Sequence, residues 1–86
     1  MASASDASGA LVFTVGRVCK IAGITRTLLD HWTRRAGIPT HGDRMYDLDA
    51  VEMVMLIKTG RDLGIDLSAA IDAARELQAA RPRSAT

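Results

Sequence analysis

The sequence predicts one small, mainly α-helical domain of about four helices with a short β-hairpin between the second and the third. Three observations predict it: apolar residues recur at helical spacing in four segments, a capping residue precedes each segment, and glycine or proline follows each. The chain has 86 residues, enough for one domain. We assign residues 1–12 to a disordered tail, residues 13–80 to the domain and residues 81–86 to a basic tail.

The first predicted helix is short and amphipathic. It covers residues 15–22, and Thr14 is its expected N-cap. Its apolar face comprises Val15, Val18, Cys19 and Ala22. Gly23 ends it, because glycine accepts the positive φ that follows many helices.

The second helix is expected from its N-cap, Thr25, to about residue 35, where Gly37 stops it and Pro39 prevents an immediate restart. Its expected inward stripe comprises Leu28, Leu29 and Trp32. Two helices joined by a short turn with glycine have the layout of a helix-turn-helix. The small Cys19 at the expected crossing, with Leu29 facing back into it, agrees with that layout.

A turn and two further helices complete the predicted domain. The run HGD at residues 41–43 is a turn signal between two short extended pieces, which predicts a tight hairpin with barely any ladder.

Asp47 or Asp49 is the expected cap of a third helix that ends at Gly64. The middle of this helix, MVMLI, is predicted to be the most buried segment of the chain. Ser68 is the expected cap of a fourth helix that runs to about residue 80. The apolar positions of that helix are Ala70, Ile71, Ala74 and Leu77.

Charge is distributed unevenly along the chain, although the formal net charge is only +1. Residues 14–46 carry six Lys or Arg against two Asp or Glu, whereas residues 47–76 carry three against seven. A basic half beside an acidic half is consistent with a face that binds an anionic polymer, and equally with solvated surface that has no partner.

Composition narrows the class of protein further. The single cysteine, Cys19, rules out an intrachain disulfide and fits a reducing compartment. No apolar run approaches the roughly 20 residues of a membrane span, and the opening segment MASASDASGA has neither the basic nor the apolar region of a signal peptide. We therefore expect a cytoplasmic protein. The three aromatic residues, each expected to anchor packing or an interface, are Phe13, Trp32 and Tyr46.

Six short motifs follow one another between residue 13 and about residue 77: FTVGRVCKIAGIT, LLDHW, AGIP, RMY, DLDAV and LGIDLSAAI. The series resembles the DNA-binding domain of the MerR family. The resemblance implies a mainly α-helical, winged helix-turn-helix fold of about four helices, in which the hairpin is the wing. It also implies double-stranded DNA as the partner, a function in transcription regulation, no cofactor, and a location at the nucleoid.

The chain departs from the family pattern at several positions. Asp30 stands where the family usually has Arg, and an acid there repels phosphate; His31 and Trp32 replace a pair of tyrosines. The expected wing is shorter than usual, and the sequence to Thr86 includes no counterpart of the long antiparallel coiled coil by which MerR regulators dimerise. In this respect it resembles phage excisionases and small actinobacterial regulators of the MerR type. A recombination directionality factor that bends DNA is therefore an alternative to a transcriptional regulator.

The helix-turn-helix layout places the second helix in a major groove. Arg26 is then the expected reader of guanine, through paired hydrogen bonds to O6 and N7. Thr25 and Thr27 are expected to bind phosphate or to contact a thymine methyl group. A plain N-cap is the alternative for Thr25, and the two roles are compatible.

Phosphate contacts are expected from a second group of residues. Arg34 and Arg35 suit the phosphates that flank the groove, and His31 is a further donor. Arg44 resembles the wing arginine that follows the minor groove or the backbone, and Arg17 of the first helix is a weaker candidate. For each of them, a solvated surface residue without a partner is the alternative.

Three other functions fit the sequence less well. An enzyme would need a nucleophile beside a base, but Cys19 is expected on a buried helix face, and no glycine-rich loop suits phosphate. A metal sensor would need closely spaced ligands, and Cys19, His31 and His41 include no such pair. A helical adaptor that binds an acidic protein is the third, because a fold does not fix a function.

The small size of the domain predicts self-association on DNA. A single module buries roughly 600–1,000 Å² on DNA and binds weakly. We therefore expect dimers, adjacent sites or a cooperative assembly. In such an assembly the acidic half of one copy would meet the basic half of the next.

Overall fold

Four helices and a two-stranded antiparallel sheet make up the domain in the computed structural model, which describes residues 11–80. In chain order the elements are β1 (Val12–Phe13), α1 (Val15–Ala22), α2 (Arg26–Ala36), β2 (Tyr46–Asp47), α3 (Leu48–Asp62) and α4 (Leu67–Ala80). The predicted mainly α-helical fold is confirmed. Val12, which the sequence places in the tail, belongs to β1; the rest of the two predicted tails, apart from Leu11, lies outside the described residues.

Side chains cap three of the helices as the sequence predicts. Thr14, Thr25 and Asp47 each accept a hydrogen bond from the backbone N–H three residues later, at 3.2, 3.1 and 2.8 Å. Gly23 and Gly37 follow α1 and α2 with φ of 70° and 66°, the left-handed backbone that glycine adopts without strain. The predicted boundaries of the helix-turn-helix are therefore confirmed.

The start of α4 differs from the prediction. The helix begins at Leu67, so Ser68 lies in its first turn and is not the N-cap. The Ser68 hydroxyl instead accepts a hydrogen bond from Arg35 Nη2 at 2.9 Å, which joins α4 to α2. Sequence alone does not show at which of several neighbouring residues the backbone becomes helical.

Helix α3 is the centre of the core and contacts every other helix and both strands. Its buried residues are Ala50, Val51, Val54, Ile57 and Gly60. Within MVMLI, Val54 and Ile57 are fully buried, but Met55 is 42 % exposed. The expectation that this is the most buried segment of the chain therefore holds at Val54 and Ile57 and is wrong at Met55, because α4 and the helix-turn-helix leave part of α3 uncovered.

The predicted apolar stripes are correct at their centres and wrong at their edges. On α2, Leu29 and Trp32 are buried, whereas Leu28 is 36 % exposed. On α4, burial ends at Ala74, and Leu77 is 58 % exposed. Residues at the edge of a stripe are covered only where a neighbouring element reaches them, which periodicity does not show. Leu28 consequently lies on the outer face of α2.

Gly60 allows α3 and α4 to cross closely. It is buried, and a Cβ at this position would lie 3.0 Å from the Cβ of Ala70. The sequence marks Gly60 as a weak point of the third helix, because glycine has a low helix propensity. The structure adds that the missing side chain makes room for α4.

The hairpin predicted at HGD spans residues 41–45. His41 and Met45 exchange two backbone hydrogen bonds of 2.8 Å, so its ladder is a single bridge. The two-stranded sheet lies beside it, where β1 pairs antiparallel with β2 and Phe13 is opposite Tyr46. The sequence did not predict this pairing, because strands of two residues show no alternation.

Candidate functional site

An open groove lies along the outer face of α2. Its lining residues are Thr25, Thr27, Leu28, Asp30, His31 and Arg34. Asp30 is half-buried and the other five are exposed. Four residues that the sequence singles out therefore share one surface with two that it does not, Leu28 and Asp30.

The carboxylate of Asp30 links this groove to the wing. Arg44 Nη2 donates to Asp30 Oδ1 at 2.7 Å, and Arg34 Nη1 lies 3.3 Å from Asp30 Oδ2. The side chains of Arg34 and Arg44 are 72 % and 51 % exposed. Two cations from different elements thus lie within reach of one carboxylate and are open to solvent.

A buried tyrosine holds the end of the wing against α2. The hydroxyl of Tyr46, a fully buried residue, lies 2.7 Å from Thr33 Oγ1. Thr33 Oγ1 donates its own proton to the carbonyl of Leu29 at 2.7 Å, so the Tyr46 hydroxyl is the donor to Thr33. Because Tyr46 comes two residues after Arg44, this bond sets where the wing lies relative to α2.

Arg44 has an unusual backbone conformation. Its φ is 66°, and among residues 11–80 it is the one non-glycine residue with a positive φ. It is the last of the three loop residues between His41 and Met45, the position at which a left-handed residue closes loops of this length. An L side chain there carries strain of about 1–2 kcal/mol, which glycine would avoid.

Asp47 joins the base of the wing to α3. One carboxylate oxygen caps α3 by accepting from the Ala50 N–H, and the other accepts from His41 Nε2 at 3.1 Å. The hydrogen bond from Ala50, and after it the one from His41, hold the pKa of Asp47 below its usual range. Ionised Asp47 therefore stabilises both the start of α3 and the hairpin.

The remaining predicted residues are not part of the groove lining. Arg26 is exposed at the first position of α2, and Arg17 is exposed on α1. Arg35 donates to Ser68 of α4. The structure thus brings five of the eight predicted residues together around the groove and the wing: Thr25, Thr27, His31, Arg34 and Arg44.

Sequence reasoning missed Leu28 and Asp30 for different reasons. Leu28 is apolar and adjacent to Leu29, so periodicity assigns it to the core. Asp30 carries the wrong charge for a phosphate contact, and its two arginine partners are four and fourteen residues away. The first of these spacings is visible on a helical wheel, but the second depends on the tertiary fold.

Helices α1 and α2 with the following hairpin define a winged helix-turn-helix domain. The family model described as MerR HTH family regulatory protein matches residues 13–77, and the chain belongs to this family of DNA-binding transcriptional regulators. The resemblance seen in the sequence motifs is therefore confirmed. No curated protein and no solved structure matches the chain significantly.

Among residues 11–80, no helix is both long enough and apolar enough to cross a membrane. In the same residues, no three His, Cys, Asp or Glu side chains are grouped so as to hold a metal ion.

Replacement of Asp47 separates the effects of its two hydrogen bonds. We expect Asp47→Ala to lower the free energy of unfolding at neutral pH by about 1 kcal/mol, because α3 loses its N-cap. Asp47→Asn keeps an oxygen that accepts from the Ala50 N–H, so it should lower this free energy less. Thermal unfolding followed by circular dichroism measures both changes.

The same carboxylate makes stability depend on pH. Because folding lowers the pKa of Asp47, its contribution is complete above the pKa of the unfolded chain, about 4, and is lost as the pH falls through the lower pKa of the folded state. The difference in free energy of unfolding between the wild type and Asp47→Asn should shrink as the pH is lowered from about 5. A difference that stays constant would contradict this role of Asp47.

Proposed function

We propose that this protein binds specific double-stranded DNA sequences as a regulator, with α2 in the major groove and the wing on the adjacent backbone or minor groove. The observation that carries the proposal is the placement of Arg34 and Arg44, which expose cations from α2 and from the wing beside one groove. Family membership supports DNA as the partner. The protein is then expected in the cytoplasm, at the nucleoid.

Arg26 is the proposed reader of guanine. It is exposed at the first position of α2, and the N-terminal residues of a recognition helix reach the base edges. Its guanidinium can donate paired hydrogen bonds to O6 and N7. Thr25 and Thr27 line the groove; the Thr25 hydroxyl accepts from a backbone N–H as the N-cap and keeps its own proton for a phosphate.

The proposed phosphate contacts come from Arg34, Arg44 and His31, with Arg17 as a peripheral contact from α1. Arg35 is a weaker member of this group, because it must give up its hydrogen bond to Ser68 before it reaches a phosphate. Such contacts fix the position of the protein on the duplex and supply most of the salt dependence.

Binding to duplex DNA should weaken steeply with salt. With about five cations engaged, the plot of log K against log salt concentration should have a slope near −4 to −5.

Two substitutions separate phosphate contacts from base reading. Arg34→Ala should weaken binding to a selected duplex and to a random one alike, and should change the salt slope by about 1. Arg26→Ala should reduce mainly the preference for the selected duplex, by about 1–3 kcal/mol. Fluorescence anisotropy at several salt concentrations measures all three quantities.

Arg61→Ala is the matched control, because it removes the same charge from the end of α3, in the acidic half of the chain. It should leave both the slope and the preference unchanged. A folded wild type that binds no duplex at low salt would rule out DNA binding and favour the helical adaptor.

Leu28 is the proposed apolar contact with a base. It is the exposed apolar member of the groove lining, in the first turn of α2. In the major groove, thymine alone among the four bases presents a methyl group, on C5. We propose that Leu28 packs against this methyl group.

Deoxyuridine tests this contact, because it lacks only the C5 methyl group of thymidine. Replacing the thymidines of a selected duplex one at a time should weaken wild-type binding about threefold to tenfold at one position. The Leu28→Ala variant should bind the original duplex and the duplex with deoxyuridine at that position equally. Thr27→Ser, which removes only the methyl group of another residue in the groove lining, and Leu77→Ala, on α4, should keep the difference. A difference that persists in Leu28→Ala would disprove the contact.

We also propose that the protein assembles on DNA, as a dimer or a cooperative array. The basic groove and wing of one copy would face the acidic surface of the next. The exposed acidic residues near and on α4 are Asp62, Asp66, Asp72 and Glu76. Analytical ultracentrifugation with a duplex that carries several selected sites should show more than one bound copy at saturation. One bound copy per duplex would exclude the assembly.

A recombination directionality factor that bends DNA is the second candidate function. The short wing and the resemblance to excisionases favour it. Sequences selected from a random duplex pool distinguish the two candidates, because they should map to a promoter for a transcriptional regulator and to an attachment site for a recombination factor.

A further inference from the structure

We infer that Asp30 is a positioning residue that holds the wing arginine, Arg44, in a fixed place relative to α2. By doing so it makes DNA binding depend on the arrangement of the phosphates rather than on charge alone. The inference rests on the proposed function for its effect on DNA binding. The positioning itself concerns the free protein.

Both oxygens of the Asp30 carboxylate are engaged, each by a different arginine. Oδ1 accepts from Arg44 of the wing at 2.7 Å, and Oδ2 lies 3.3 Å from Nη1 of Arg34, one turn further along α2. Because each arginine uses its own oxygen, the two do not compete. One side chain therefore sets the spacing between a cation of the helix and a cation of the wing.

The backbone of Arg44 supports this assignment. The strained φ of 66° and the ion pair with Asp30 occur at the same residue. Strained conformations persist where the surrounding contacts determine them. Without Asp30, the loop keeps the strain but loses the contact that favours this direction of the side chain.

The ion pair has little to contribute to stability. Exposed ion pairs stabilise proteins only slightly, and the hydrogen bond from Tyr46 to Thr33 already attaches the end of the wing to α2. The effect of Asp30 is therefore on where the Arg44 guanidinium lies, and the wing remains folded without it.

A carboxylate on this surface also weakens its attraction for any phosphate backbone, because non-specific binding follows the number of engaged cations. A duplex whose phosphate meets Arg44 where it already lies gains a charge-assisted hydrogen bond. A duplex with a different groove width does not. Asp30 thus lowers binding to random DNA more than binding to the selected site.

The first arm of the test uses the free protein. In ¹⁵N-labelled wild type, the Nε–Hε group of Arg44 should show restricted motion by heteronuclear NOE, and Asp30→Ala should abolish the restriction. Asp43→Ala is the matched control: it removes the same charge from the hairpin loop, and the ion pairs described within residues 11–80 do not include Asp43. Both variants should keep their Tm within about 3 °C of the wild type.

The second arm measures binding to a selected and a random duplex. Asp30→Ala should raise affinity for the random duplex about threefold to tenfold and lower the ratio of selected to random affinity, whereas Asp43→Ala should leave this ratio unchanged. Arg44→Ala should weaken selected binding about tenfold in the wild type and less than about threefold in Asp30→Ala. This loss of effect is the signature of positioning, because a simple charge acts additively.

Three results decide the matter. Equal Arg44 motion in the wild type and Asp30→Ala would overturn the positioning. Additive effects of Asp30→Ala and Arg44→Ala, with both duplexes affected alike, would overturn its effect on specificity. An ordered Arg44 in a wild type that binds no duplex would support the positioning and overturn the proposed function instead.

Discussion

The hydrogen bond from the buried Tyr46 hydroxyl to Thr33 determines how α2 and the wing are arranged. Thr33 lies on α2 between Asp30 and Arg34, and Tyr46 directly follows the wing. A buried hydroxyl left without its partner costs about 1–3 kcal/mol. Other placements of the wing would separate the pair, so this contact inside the domain controls the position of cations on its surface.

The wing is small and depends on the rest of the domain for its structure. A hairpin closed by one bridge is not stable by itself. Here Tyr46 attaches it to α2, Asp47 attaches it to α3, and β1 pairs with the strand that follows it. Arg44 lies at the exposed tip, and its contact with Asp30 is the one that acts directly on its guanidinium.

Local chemistry explains what the sequence predicts well. Caps and glycines fix helix ends through bonds between residues three or four apart, so the boundaries of α1 and α2 and the helix-turn-helix could be read directly. Contacts between residues that are far apart in the sequence could not be predicted in this way. The partner of Arg35 is thirty-three residues away, and that of Arg44 is fourteen. The exposure of Leu28 likewise depends on which elements cover α2, and the roles of the site residues on DNA are still predictions.

The close contact between Gly60 and Ala70 bears on how such a domain can diversify. Neither residue belongs to the groove lining, and a Cβ at Gly60 would lie 3.0 Å from the Cβ of Ala70. Arg26 and Leu28, by contrast, are exposed and can be exchanged with little effect on packing. Substitutions on the outer face of α2 can therefore accumulate while the core stays intact, whereas a side chain at residue 60 would push α4 away from α3.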